Sequence, residues 1–245
     1  MSIKHAVCIG LALGGAIGAP AYADGDKVDR PPLQAGDSWT YRQTTETKAG
    51  FKEERDAVTL TRATATALYV DVHQDGSTQP PRSLVLSADW GRMRSVNGVE
   101  TVVNQPLSFP LTKGKTWTVH YREEHPNPQH SWEDVTTTFV VVGPETVKVG
   151  AGQFDAIKVE AEGKWVAEVA ASSQAAAGAV GASGNAVAGS SVKTTPAHLA
   201  EGRIYRAVWY VPAVRRWVKS VDEYYAANGE RTERSVGELV GFDVH

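Results

Sequence analysis

The sequence predicts an all-β fold, a strongly twisted antiparallel sheet that forms an open or half-closed barrel with few short helices. Short runs of β-branched and aromatic residues alternate with Gly, Pro and Asn turn residues throughout the chain. Asn97-Gly98 and Asn228-Gly229 each lie between β-prone runs, and this pairing is typical of hairpin turns. Beyond the first 23 residues, no long window shows helical spacing of apolar residues with caps.

The first 23 residues have the features of a secretory signal peptide. Lys4 precedes an apolar core from Ala6 to Ile17, and small residues lead to a cleavage point after Ala23. The core holds about a dozen residues, short of the roughly 20 that a membrane-spanning helix requires. Cys8 lies early in that core rather than after it, which argues against a lipid-modified cysteine. We therefore predict a periplasmic or secreted protein.

Export and composition narrow the function classes. Cys8 is the only cysteine, so the mature chain can form no disulfide and use no thiol chemistry. Without Lys4 there are 24 basic against 28 acidic residues, a net charge of about −4 with His neutral. A mildly acidic surface of mixed sign argues against nucleic acid as a partner. The rest of the sequence contains no second long apolar segment, so we predict no transmembrane span in the mature chain.

The strands are predicted in chain order. Strand signals cover 36–42, 58–72, 83–87, 135–142 and 154–161. In the last of these, apolar and charged residues alternate, as expected for a sheet with one wet face. The phrases GDSWT at Gly36 and GKTWT at Gly114 place Trp39 and Trp117 equivalently. Either a duplicated β-unit or chance explains the repeat.

The domain organisation follows from composition. Residues 24–34 are charged and proline-bearing, and we expect a flexible lead-in there. Residues 35–245 are expected to form a single β-rich domain. Within it, residues 170–192 are almost all Ala, Gly, Ser and Val, which predicts a disordered low-complexity loop. That loop is either a tolerated insertion or a flap over a binding site.

The densest cluster of aromatic and basic residues is the run from Arg203 to Ser220. Pro212 is expected to break this run into two strands at a bend. Its side chains suit an anionic, partly apolar partner, because Arg offers paired hydrogen bonds and Trp offers apolar and cation–π contact. In the alternative interpretation, the aromatic residues fill the core and the basic ones face water. The candidate ligand- or partner-binding residues are Arg215, Arg216, Arg206, Trp209, Trp217, Trp117 and Trp39, and we expect Trp39, Trp117, Trp165, Trp209 and Trp217 around the concave face.

Catalytic, cofactor and metal motifs are weak. The segment from His120 to Asp134 holds three His and four carboxylates, but its spacing matches no helical metal motif and prolines interrupt it. The sequence has no G-x-S-x-G elbow, and neither phosphate-binding glycine motif is present. We therefore predict no catalytic residue, no metal and no cofactor.

Three phrases in order resemble a bacterial envelope family. They are PLSFPLTKGKTWTV, VVGPETVKVGAGQFDAIKVEAEG and WYVPAVRRWVKS, within residues 106–220. They resemble TapB-like uncharacterised exported proteins and are more loosely similar to the LolA/LppX type of half-barrel, which wraps around apolar ligands. The resemblance implies a curved antiparallel sheet and no established catalytic residue. Arg215-Arg216, where relatives often have glycine, and the insertion at 170–192 depart from the pattern.

Together these features predict an exported, non-enzymatic envelope protein that binds an apolar or amphipathic ligand, such as a lipid, in a curved β-sheet. One alternative is a structural or interaction module that binds another envelope protein. A less favoured alternative is a hydrolase whose site is assembled from distant strands, which sequence alone does not reveal.

Overall fold

The computed structural model describes residues 27–177 and 190–245, and the predicted signal peptide lies outside them. Strands make up 72% of this part of the chain, so the all-β prediction is confirmed. Its one short helical element is a 3₁₀ turn at Pro212–Val214. The strands are β1 (Ser38–Thr47), β2 (Gly50–Ala63), β3 (Ala67–Gln74), β4 (Arg82–Ser87), β5 (Arg92–Val96), β6 (Val99–Asn104), β7 (Thr116–Asn127), β8 (His130–Val149), β9 (Gly152–Val169), β10 (Ser172–Ala177), β11 (Ser190–Thr195), β12 (His198–Val211), β13 (Arg216–Ala226) and β14 (Arg231–Asp243).

Twelve strands form one antiparallel sheet in the order β6-β5-β4-β3-β2-β1-β14-β13-β12-β9-β8-β7. Most neighbours are consecutive in the chain, as expected for hairpins joined by short turns. Two pairings are not consecutive: β1 with β14, and β12 with β9. Because the right-handed strand twist accumulates over twelve strands, the sheet curls until its two edges, β6 and β7, meet at one seam. The sheet is thus a nearly closed barrel.

Side chains rather than a backbone ladder hold the seam. Asn97 donates its amide to the Arg122 carbonyl over 2.9 Å and accepts the Glu124 N–H over 2.9 Å. Arg94 of β5 forms a two-point ion pair with Glu123 of β7. An edge strand leaves backbone N–H and C=O groups without partners. The Asn97 side chain provides partners for two such groups of β7, the Arg122 carbonyl and the Glu124 N–H.

The predicted turns are found where the sequence indicated them. Asn97 and Gly98 have φ angles of 50° and 81°, the positive values that this hairpin turn requires, and they join β5 to β6. Gly229, with φ 80°, lies in the turn between β13 and β14. Pro212 ends β12, and β13 begins four residues later and folds back against it. These turns join five of the twelve strands of the barrel wall.

Alternation along each strand separates the barrel interior from its outer surface. In β9, Ile157, Val159 and Ala161 are buried, whereas Lys158 and Glu160 between them are half-buried and form an ion pair. The buried apolar residues of the barrel wall make one core. Each Å² of apolar surface removed from water contributes about 25 cal/mol. Burial of this core is therefore the main force that stabilises a fold without disulfides.

Two segments, the lead-in and the low-complexity segment, make backbone pairings in the described structure. Val28, in the lead-in, is buried and exchanges two backbone hydrogen bonds with Leu111, so that segment is anchored to the barrel. The ends of the low-complexity segment pair as β10 and β11, a separate two-stranded sheet. Runs of Ala and Ser carry little strand signal, so backbone pairing there was not predicted. Residues 178–189 lie outside the described residues. In the described ranges, no helix has the length and hydropathy needed to span a membrane.

Candidate functional site

The barrel encloses a cavity of about 570 Å³, within the range of small-molecule sites. Nine strands contribute residues to its wall, because inward-facing positions of both halves of the sheet converge there. Most of the wall is apolar. Its apolar residues are Val58, Val70, Val72, Leu84, Val85, Leu86, Trp90, Met93, Pro106, Phe139, Val159, Ala161, Ala207, Val208, Trp217 and Val221.

The mouth of the cavity lies where β4 diverges from β5. These two strands are paired at a single position, Leu86 with Arg92, so the sheet is weakly joined there. Arg92, Val85 and Glu100 beside this divergence are solvent-exposed and also line the cavity. The space inside the barrel therefore reaches solvent through its side wall.

The polar part of the wall is rich in arginine. Among the described residues, the lining contains Arg92, Arg94, Arg206 and Arg216 against two acids, Glu100 and Asp222. Arg94 is neutralised by Glu123 across the seam. Arg206 places Nε 3.0 Å from Asp222 and donates to the Tyr224 hydroxyl over 3.1 Å. The local excess of positive charge makes the cavity attractive to anions.

Arg216 lies at the inner wall inside a box of aromatic rings. Its guanidinium carbon is 4.5 Å from the ring centre of Trp90 and 4.6 Å from that of Trp217. The rings of Tyr41 and Trp39 are 5.3 Å and 5.5 Å away. Cation–π attraction is expected within about 6 Å, so all four rings stabilise the cation. Trp39 and Trp217, from distant strands, meet here.

Polar contacts of Arg216 are scarce. The residue is 8% exposed, and its Nε and Nη1 have no hydrogen-bond partner among the described residues. Burial lowers the pKa of Arg216 below its ordinary value, and Tyr41 opposes this in part. Buried donors without acceptors cost about 1–3 kcal/mol each. A residue under this penalty at a cavity wall is a candidate for ligand recognition.

Arg215 has a different environment from its neighbour. It takes a left-handed conformation with φ 62° and directs Nη1 to Asp37, 3.1 Å from Oδ2. Asp37 is fully buried and also accepts the N–H groups of Gln34 and His245, each over 3.0 Å. This contact ties the 3₁₀ turn to the start of β1 and to the C-terminus. Of the Arg215-Arg216 pair, only Arg216 lines the cavity.

The remaining predicted site residues have three different placements. Arg206 lines the cavity beside Asp222. Trp117 stacks on Phe139, a lining residue, with ring centres 5.4 Å apart, and donates its indole N–H to the Gln105 carbonyl. Trp209 points away from the cavity: its indole donates to Glu145, and Lys158 and Lys219 lie over its ring. The structure thus brings Trp39, Trp217 and Arg216 together and separates Trp209 from them. Trp165 lies elsewhere, stacked on His130.

Sequence reasoning missed Trp90 and Asp222. Trp90 follows β4 in a turn with φ 63°, and nothing in the local pattern indicates that its ring packs against Trp39 and Trp217. Asp222 could have been found, because the period of two along β13 places it on the same face as Ser220, and the hairpin register sets it opposite Arg206. That parity is the signal that reveals a carboxylate in the barrel interior.

The ionisation of Asp222 gives a testable pH dependence. Burial raises the pKa of Asp222 above its usual value, and Arg206 opposes the change. A carboxyl that binds its proton more tightly in the folded state stabilises the fold as pH falls from neutral toward the unfolded pKa of about 4. We expect the stability of the wild type, measured relative to Asp222→Asn by urea unfolding, to rise between pH 7 and pH 4. If the stability of the wild type relative to Asp222→Asn instead falls between pH 7 and pH 4, the charge of Arg206 affects the Asp222 pKa more than burial does.

The histidine-rich segment forms local contacts. His120 Nε2 lies 3.1 Å from Asp134 on the neighbouring strand, and His130 Nδ1 lies 3.3 Å from Glu133. Within residues 27–177 and 190–245, no three His, Cys, Asp or Glu side chains are grouped as a metal site requires. His120 and His130 each have one nearby carboxylate.

Comparisons with known proteins give two solved structures and no family. No family model matches the chain, and no curated protein matches it. A "putative lipoprotein" from Parabacteroides distasonis is similar with a TM-score of 0.45 and 13% identity, over 89% of this chain and 100% of that one. A "putative exported protein with YmcC-like fold" from Bacteroides fragilis has a TM-score of 0.38 and 16% identity, over 88% of this chain and 99% of that one. The resemblance to TapB-like and LolA/LppX proteins stays a prediction.

Proposed function

We propose that the protein is an exported, non-enzymatic binding protein that holds an amphipathic small molecule inside its barrel. The observation that carries this proposal is the cavity of about 570 Å³, whose wall is mostly apolar and also holds buried Arg216. Such sites bind ligands by burying apolar surface and fix their orientation with a few polar groups. The signal-like N-terminus supports export.

The arrangement of the mouth supports the same proposal. A side opening between β4 and β5 gives access to an apolar interior without unfolding the strands that carry the core. Exposed Arg92 and Glu100 at the opening can remain hydrated while an apolar group passes between them. This is the arrangement that a carrier requires, because the ligand must be shielded from water yet able to leave.

Filling the cavity is the direct test of the proposal. Ser220 lines the cavity on β13 and makes no side-chain hydrogen bond in the described structure, so Ser220→Trp should place an indole in the cavity. We expect the affinity for an uncharged apolar fluorophore, N-phenyl-1-naphthylamine, to fall at least about tenfold. Fluorescence titration measures this change.

The matched control is Ser95→Trp, the same substitution at an exposed position of β5 in the same sheet. It should bind the fluorophore as the wild type does. Circular dichroism and thermal unfolding of both variants verify that the barrel is intact. Equal binding by the folded Ser220→Trp and Ser95→Trp variants would place the fluorophore outside the cavity and contradict the proposal.

A further inference from the structure

Arg216 has buried N–H donors at the cavity wall that lack hydrogen-bond acceptors among the described residues. Its four surrounding rings offset the positive charge, but ring faces are poor substitutes for the five N–H donors of a guanidinium. Nε and Nη1 are buried with no acceptor among the described residues. A guanidinium held by aromatic rings and left without acceptors is well placed to receive a carboxylate.

The other arginines of the cavity wall have a carboxylate or solvent beside them. Nε and Nη1 of Arg206 are also buried without a hydrogen bond, but the Asp222 carboxylate lies 3.0 Å from Nε. Arg94 and Arg206 already face carboxylates, Glu123 and Asp222 respectively. Arg92 lies at the exposed mouth, where water can satisfy its donors. Among the described lining residues, Arg216 is thus the buried guanidinium without a carboxylate partner. A ligand with one negative charge would give the Arg216 guanidinium the anionic partner that it lacks.

We propose that the cavity selects amphipathic carboxylic acids and binds them with the carboxylate innermost, against Arg216. The apolar chain then lies along Val58, Val70 and Leu84 toward the mouth between β4 and β5. This inference rests on the proposed binding function and specifies its ligand class. A single unpaired guanidinium matches a monoanion, and the planar carboxylate fits its paired donors better than a doubly charged phosphate would.

The test compares three ligands that share one chain: dodecanoic acid, dodecanol and dodecylamine. Titration calorimetry of the purified mature protein, freed of bound lipid, should show the acid binding at least about tenfold more tightly than the alcohol, since hydrogen bonds to charged groups are strong. The amine should bind most weakly. In Arg216→Met the preference for acid over alcohol should shrink to within about twofold, with alcohol affinity unchanged.

The matched control is Arg82→Met, which removes an exposed arginine of β4 that does not line the cavity and should retain the preference for the acid. Arg216→Lys keeps the charge and loses the planar fork, so its preference should be intermediate. Equal affinity of the wild type for acid and alcohol would overturn the carboxylate proposal and leave the binding function standing. If none of the three ligands binds, both proposals fail.

Ligand orientation provides a readout that needs no variant. Bromine quenches nearby indole fluorescence, and the rings of Trp90 and Trp217 lie within 5 Å of the Arg216 guanidinium. With the carboxylate innermost, 2-bromododecanoic acid should quench more strongly at saturation than 12-bromododecanoic acid. Stronger quenching by the 12-bromo acid would place the tail in the aromatic box and overturn the proposed orientation.

Discussion

Asp37→Ala is expected to lower the free energy of unfolding by about 3–5 kcal/mol, the cost of breaking a buried ion pair from one side. The Asp37 carboxylate is fully buried, and it accepts hydrogen bonds from Arg215, Gln34 and His245. Its removal leaves Arg215, whose side chain is only 18% exposed, without its partner at a left-handed backbone position. Urea denaturation measures the change.

The control for this prediction is an exposed ion pair. Lys48 and Glu230 lie 3.0 Å apart with at least half of each side chain in solvent, so Glu230→Ala should lower the stability far less than Asp37→Ala does. Asp37→Ala combined with Arg215→Ala should cost less than the sum of the single changes, because both remove one interaction. Equal, small losses for Asp37→Ala and Glu230→Ala would contradict the structural role assigned to Asp37.

Trp39→Ala is expected to cost a similar amount, about 3–5 kcal/mol, for a different reason. The Trp39 ring is fully buried, packs edge-on against Trp90 at 5.2 Å, and donates its indole N–H to the Val214 carbonyl over 2.8 Å. Truncation opens a void, leaves that carbonyl without its donor and removes one wall from the Arg216 box. Thermal or urea unfolding measures the loss.

Trp132 gives a control of the same residue type. It is half-buried, and its described ring contact is with Arg122, whose guanidinium carbon lies 4.1 Å from the ring centre. Trp132→Ala should cost about 1 kcal/mol or less, because little buried surface is lost and no core void forms. Comparable losses at Trp39 and Trp132 would argue against an aromatic box in the core.

The fold could be predicted because its signals are local. Asn97-Gly98 specifies a turn through its own backbone preference, and alternation along 154–161 marks a strand with one buried face. Each of these depends on residues within one or two strands. The seam was not predictable, because the bonds from Asn97 to Arg122 and Glu124 join residues whose proximity depends on the curvature of all twelve strands.

The candidate site was predictable only in part, and for the same reason. The sequence marked Arg215 and Arg216 together as basic residues at a bend. It could not show that the two arginines have different roles. Arg215 pairs with Asp37 and Arg216 lies among the rings of Trp39 and Trp90, and both contacts depend on the fold of distant strands. Trp90 belongs to a turn with no pattern of its own. Long-range packing, rather than composition, created the aromatic box.

The measurement that tests the central proposal most directly is the content of the cavity in the mature protein purified from the exported fraction. Organic extraction followed by mass spectrometry should recover about one amphipathic acid per chain from the wild type, as one cavity of this size allows. The same extraction should recover little from Ser220→Trp. If wild type and Ser220→Trp both yield nothing, and the extracted wild type shows no saturable binding of dodecanoic acid or dodecanol, the barrel is not a ligand carrier.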